Sequence, residues 1–220
     1  MKNRSKSSQE WLRRQVKDPY VKRAHEEHWR CRSAYKLIEM DDKLRLLSPG
    51  MTVVDCGAAP GSWSQVAVDR TNSSCRDKNK PVGKVISVDL HGISPIEGSC
   101  IFSQSDFTSA ETQSKILSCL GKGKANVVLS DMAPNATGVK HLDHDLISEL
   151  CLSVLTFSTS VLSDGGAVVC KIWMGHNQNR LLSAMKTIFK NVKIMKPNAS
   201  RGDSSEIFLV GRGYSSELKR

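Results

Sequence analysis

Residues 165–173, GGAVVCKIW, are apolar on both faces of an extended chain. A strand of that kind needs cover above and below, as a central strand of a parallel sheet has when helices wrap it. The flanking segments alternate to match. Residues 33–47 carry Leu37, Met40, Leu44 and Leu47 at helical spacing, and SPG at 48–50 ends the run. MTVVDC (51–56) reads as a strand, SWSQVAVDR (62–70) as a helix, GKVISVDL (83–90) as a second strand and CIFSQSD (100–106) as a third. A helix over 109–120 has Ser109 at its start, and ANVVLSDMAPN (125–135) is a strand stopped by proline. The helix over 142–162 has apolar residues at 142, 146, 147, 150, 151, 154, 155, 161 and 162, a stripe of period 3.6. Leu181, Leu182, Met185, Ile188 and Phe189 mark another helix. VKIMKP and SEIFLVGRGY then close the chain as two strands with a tight link, an antiparallel hairpin. The result is a doubly wound α/β sheet, mostly parallel. Residues 70–81 are polar and without period, hence a surface loop.

Charge narrows the partners. The net charge is +10 and the sequence pI about 9.4, which points to an anionic partner, nucleic acid before membrane. Residues 1–36 alone hold eleven Lys/Arg against four Asp/Glu. They also carry Trp11, Tyr20, Trp29 and Tyr35, so an arm over residues 1–30 is expected to track phosphates and stack on bases, ahead of a domain over 31–220. No apolar run reaches membrane-spanning length. Seven cysteines without a C-x-x-C spacing suggest neither disulfides nor a zinc cluster, and Cys56, Cys151 and Cys170 read as small core residues in a reducing compartment. His141 and His144, three apart, read as the solvated start of a helix rather than as metal ligands, and no metal is expected.

The turn after the first strand carries the chemistry. Asp55 lies near the end of that strand, and after Cys56 comes Gly57-Ala-Ala-Pro60-Gly61-Ser62-Trp63. Gly57 and Gly61 let the backbone approach a ligand closely, and the helix start offers free N–H groups. Pro60 suits a first helical position. Asp89, ending the second strand, is placed for ribose hydroxyls. The G-x-G-x-x-G fingerprint of dinucleotide sites is missing. Asp131 and Lys171 end the next two core strands, so they should be neighbours at the sheet's switch point. A glycine turn that serves only helix packing, and strand-end charges that serve only as solvated caps, are the plainer alternatives.

In their combined order, RCRSAYKL, DCGAAPGSWSQ, VDL, SDMAPN, GGAVVCK and KPNASR…SSE resemble the FtsJ-type ribosomal RNA 2′-O-methyltransferases, and within them the mitochondrial group. The resemblance runs from about residue 18 to residue 210. It implies a seven-stranded Rossmann-like methyltransferase sheet and S-adenosylmethionine as cofactor. The cofactor site it implies is Asp55, Gly57, Pro60, Gly61, Ser62, Trp63, Asp89, Leu90, Asp106 and Asp131, with Trp63 as a wall. It also implies a catalytic tetrad of Lys36, Asp131, Lys171 and Glu206. The substrate it implies is a uridine ribose in the A-loop of large-subunit rRNA, free or in an assembling subunit, in the mitochondrial matrix. Residues 1–30 do not form a clean transit peptide, since Glu10 interrupts them. Ser62 stands where bacterial members more often have Gly, and the 70–81 loop is longer than theirs.

These residue types suit the reaction. A sulfonium methyl is already electrophilic, so the protein must chiefly hold a 2′-hydroxyl in line with it. Lys171 is the candidate base. It can act only in its neutral form, which burial and the nearby charge of Lys36 favour. Asp131 aims the amine, and Glu206 orients Lys36 or the ribose. Two other readings are a nicotinamide-dependent dehydrogenase, supported by fold alone, and a non-catalytic RNA-binding assembly factor, supported by the basic arm alone.

Overall fold

The structure, a computed structural model, describes residues 16–135 and 137–219. Its elements in chain order are α1 (Pro19–Glu26), α2 (Ala34–Leu44), β1 (Thr52–Cys56), α3 (Ser62–Thr71), β2 (Lys84–Val88), β3 (Ser99–Phe102), α4 (Ala110–Leu120), β4 (Ala125–Ser130), α5 (Lys140–Val161), β5 (Leu162–Trp173), α6 (Gln178–Lys186), β6 (Phe189–Met195) and β7 (Glu206–Tyr214). The seven strands form one sheet in the order β3-β2-β1-β4-β5-β7-β6. The first five run parallel, and β7 is antiparallel to both β5 and β6.

Alternation along the strands divides the core in two. Val54, Cys56, Val128, Val168 and Cys170 face α4, α5 and α6 through Ile116, Cys151, Val154, Leu181 and Met185. Val53, Val127, Leu129, Val169 and Phe208 face α2 and α3 through Leu37, Met40, Trp63 and Val66. That period of two explains why the central strands read apolar throughout. Ser109 caps α4, its hydroxyl accepting from Thr112 N–H at 3.2 Å. No described helix is long and apolar enough to cross a membrane.

Three expectations need correction. Ile188 and Phe189 do not extend α6. The helix stops at Lys186, and Phe189 opens β6, where its ring packs on Tyr214 at 5.9 Å and covers Gly211. A Cβ on Gly211 would fall 2.6 Å from that ring. The hairpin link is not tight: residues 196–205 form it, because Ala199 is drawn into a small core with Tyr20, Ala24 and Tyr35 while Glu39 accepts from the N–H groups of Asn198 and Ala199. Lastly, residues 18–30 do not stand off as an arm. Asp18 caps α1 and pairs with Arg32, and Ala24 is buried. Tyr35, expected to stack on bases, is buried against Tyr20. Residues 1–15, with Trp11, lie outside the described residues.

Candidate active site

Strand register sets the site. Cys56 pairs with Val88 on one side and Ser130 on the other, and Ser130 pairs with Cys170. The next residue along each of these strands is Gly57, Asp89, Asp131 or Lys171, so one row across the sheet's carboxyl edge carries all four. The chain runs outward from β1 through β2 and β3, then returns to place β4 on the other flank of β1. That reversal opens a crevice above β1 and β4.

The crevice has a volume of about 560 Å³. Carboxylates of Asp89, Asp106 and Asp131 border it, with Leu90, Phe107 and Met132 among its apolar walls. Gly57 turns at φ +76°, and a Cβ there would lie 2.1 Å from Met132 Cγ. Only glycine meets both the conformation and the contact. Asp89 braces the turn: its Oδ2 accepts from Ala59 N–H at 2.8 Å and its Oδ1 from His91 N–H at 2.7 Å. Each oxygen keeps a lone pair for a ligand hydroxyl. Asp106 Oδ1 accepts from the Thr108 N–H and hydroxyl.

Other residues expected at the cofactor lie beneath this surface. Pro60 is not a first helical residue: α3 begins at Ser62 with Gly61 as its cap, and the Ala59–Pro60 peptide is cis. Gly61, at φ +110°, leaves room for Arg30, whose guanidinium donates to the carbonyls of Pro60 (2.7 Å) and Pro95 (2.8 Å). Ser62 is buried and accepts from the Cys31 thiol. The Trp63 side chain is not a wall of the crevice. Its indole is 2% exposed, lies 5.6 Å from the Phe208 ring, and donates Nε1–H to the Ser33 carbonyl at 2.8 Å. The second position of α3 points under the helix toward the α2 side of the sheet, so Trp63 fixes the segment that leads to Lys36. Asp55 is likewise buried, its Oδ2 accepting from Ser64 Oγ at 2.7 Å. Burial pushes the Asp55 carboxyl up to about 7; the Ser64 hydroxyl opposes this, and Asp131 and Asp89 add to it.

Beside the crevice, four elements bring Lys36, Asp131, Lys171 and Glu206 together. Lys36 Nζ is 2.8 Å from Glu206 and 3.8 Å from Asp131 Oδ2. Lys171 Nζ is 3.1 Å from Asp131 Oδ1, 4.0 Å from Glu206 Oε2, and donates to the Asp131 carbonyl oxygen at 2.6 Å. Each of the four side chains is less than a fifth exposed. Burial alone would raise Asp131, but Lys171 and Lys36, with the Ser33 hydroxyl, outweigh it and hold the carboxyl below its ordinary range. Two lysine amines thus alternate with two carboxylates around one small space.

Residues 29–214 match the FtsJ-like methyltransferase family. The chain belongs to that family. It is 49% identical over 214 residues to the mitochondrial rRNA methyltransferase 2 of Drosophila melanogaster, covering 97% of this chain and 86% of the relative. To the ribosomal RNA large subunit methyltransferase E of Cereibacter sphaeroides it is 48% identical over 213 residues, with the same coverage. The crystal structure of a ribosomal RNA methyltransferase from Plasmodium falciparum superposes with a TM-score of 0.73 at 30% identity, covering 84% of this chain and 98% of that one.

Two further groups serve this FtsJ-like site without having stood out in the sequence. Ser33 Oγ donates to Asp131 Oδ2, and Ser200 Oγ donates to Glu206 Oε1 at 2.8 Å. Each fastens one carboxylate of the tetrad. Both lie within stretches that carry the family resemblance, yet a lone serine has no periodicity or charge to mark it.

Proposed function

We propose that this methyltransferase places a methyl group on the ribose 2′-hydroxyl of a uridine in the A-loop of large-subunit ribosomal RNA, in the mitochondrion and in support of ribosome assembly. The observation that carries the reading is the tetrad itself, gathered from α2, the end of β4, β5 and β7 against the crevice. The names of the relatives point to rRNA of the large subunit and, for the Drosophila protein, to the mitochondrion.

S-adenosylmethionine fits the crevice by donor set: Asp89 retains acceptor capacity for ribose hydroxyls, while Leu90, Phe107 and Met132 offer apolar surface to a purine ring. When bound there it supplies an electrophilic methyl group. Gly57 admits the ligand to the backbone, and Asp106 is a further acceptor on the wall.

The remaining work belongs to the tetrad. Asp131 grips Lys171 from two oxygens, carboxylate and carbonyl, and so aims Nζ at one point in space. Lys171 in its neutral form receives the 2′-hydroxyl proton at Nζ as the oxygen becomes nucleophilic. Lys36, held by Glu206 over the Phe208 ring, keeps positive charge beside that oxygen and favours the alkoxide as it forms. Ser33 and Ser200 keep both carboxylates from rotating away.

Lys171→Ala and Lys171→Arg test the roles. Removing a general base costs about 10²–10⁴ in rate, and a guanidinium cannot replace it because it does not release its proton at usable pH. Both variants should therefore lose single-turnover methyl transfer by at least about 10², while binding of S-adenosylmethionine and RNA persists. An active Arg variant would overturn the base assignment. Mapping 2′-O-methyl positions in large-subunit rRNA with and without the protein tests the substrate, and an unchanged A-loop uridine would overturn it.

A further inference from the structure

We propose that His141, Asp145 and His176 form a binding site for one divalent transition-metal ion, Zn²⁺ in the cell, that fastens the loop after β5 to the start of α5. Among the described residues this is the one cluster of three or more such side chains whose ligand atoms all lie within 4.8 Å of one another. None of the three belongs to the tetrad or borders the crevice.

The cluster can supply three ligands from two elements. His141 and Asp145 are one turn apart on α5, with His141 Nδ1 3.1 Å from Asp145 Oδ2. His176 Nε2 comes from the loop after β5 and is 3.1 Å from Asp145 Oδ1. The imidazoles are stacked, centroids 4.9 Å apart and 14° between planes, so one of these exposed rings must turn for both lone pairs to meet at one ion. Tetrahedral coordination with bonds of about 2.0–2.1 Å sets neighbouring ligand atoms roughly 3.3 Å apart; each imidazole nitrogen is 3.1 Å from Asp145 but on a different oxygen, so the ion would draw both nitrogens toward one oxygen or take the carboxylate through both. Two imidazoles and a carboxylate suit zinc and its neighbours rather than magnesium or calcium. Asp145 is also braced from outside, since Asn177 Nδ2 donates to its Oδ1 at 2.8 Å. Such outer-shell support is a regular companion of metal-binding side chains.

The neighbouring His144 is not part of the set, although its spacing from His141 suggests a pair. It lies edge-on to Trp173 at 5.9 Å and fills the space over Gly175, where a Cβ would approach within 2.5 Å of its Nδ1. His144 thus packs the loop while His141, Asp145 and His176 pin it. The location gives the ion a purpose. Trp173 ends the strand that carries Lys171, and Met174 N–H donates to the Ser205 carbonyl beside Glu206. On the other element, Leu146 and Glu149 border the crevice. An ion here would couple the two walls through which the tetrad and the crevice are held.

The test uses the purified full chain, stripped with chelator and titrated with Zn²⁺ by calorimetry and thermal shift, with Mg²⁺ as control. One Zn²⁺ per chain should bind and raise the Tm, and Mg²⁺ should do neither. Asp145→Asn and His176→Ala should each weaken Zn²⁺ by well over 10-fold, Asn177→Ala by about 10–100-fold, and His25→Ala on α1 not at all. Because the free cysteines could also take Zn²⁺, absorption spectra of the Co²⁺-loaded protein are recorded as well, and they should lack a thiolate charge-transfer band. Binding unaffected by Asp145→Asn and His176→Ala, a thiolate band, or no binding at all would overturn the site and leave a hydrogen-bonded His–Asp–His staple. Circular dichroism checks that each variant is folded.

Discussion

Replacing Asp55 with Asn should make the stability of this protein less sensitive to pH. Asp55 is 1% exposed inside β1, with Ser64 bonded to one oxygen and no hydrogen-bond partner for Oδ1. Its carboxyl is raised by burial from 3.8 to about 7. A carboxyl raised in the folded state holds its proton more tightly there than in the unfolded chain. Its contribution to stability is therefore complete below the unfolded value and is lost as pH climbs to about 7. At ~1.4 kcal/mol per pH unit, the loss across that window is about 4 kcal/mol. Asparagine has no proton to lose and still accepts from Ser64. Whatever fixed packing cost the amide brings, the stability difference between variant and wild type should move in the variant's favour by about 4 kcal/mol from about pH 4 to about pH 8. Urea denaturation at intervals across that range measures it. Asp131, whose carboxyl is held low, contributes the opposite slope to both proteins and largely cancels in the difference. A difference that does not change with pH would refute the claim that Asp55 is buried with a raised carboxyl. It would instead point to water or a cation beside Oδ1.

Gly57→Ala forces an alanine to φ +76° against Met132, which should cost ~1–2 kcal/mol for the backbone alone and push Met132 into the crevice. Denaturation and calorimetry should show lower stability and weaker S-adenosylmethionine binding together. Asp89→Ala frees two backbone N–H groups as well as removing the ribose acceptor, so cofactor affinity should fall by about 1–3 kcal/mol or more; unchanged calorimetric affinity would remove Asp89 from the cofactor site. Deleting residues 1–15 removes Lys2, Arg4, Lys6, Arg13 and Arg14 against Glu10. RNA affinity should fall and its log–log salt slope flatten by ~0.7 for each phosphate that is no longer neutralised, with cofactor binding intact; an unchanged slope would exclude these residues as phosphate ligands.

Local patterns decided much of this protein. The apolar residues of β5 demanded cover on both faces, and the period of α5 supplied it, so the doubly wound sheet follows from the order of segments. Parallel pairing then carries Gly57, Asp89, Asp131 and Lys171 to one edge, since each follows a member of one paired row, Cys56, Val88, Ser130 or Cys170. That is why Asp131 and Lys171, forty residues apart, could be read as neighbours from sequence alone. Only the tertiary structure decided what depends on competition between faces and distant segments. Trp63 can point to the crevice or beneath the sheet, and the Ser33 carbonyl and the Phe208 ring draw it beneath. Tyr35 looks like a base-stacking side chain until Tyr20 and Ala199 close over it. Phe189 suits a helix by spacing but is taken by β6, because Gly211 leaves a gap that its ring fills. Ser33, Ser200 and His176 gain their roles from partners 98, 6 and 31 residues away. A side chain's partner across the fold leaves no periodic trace in its own segment, so such roles become visible only when packing has brought the segments together.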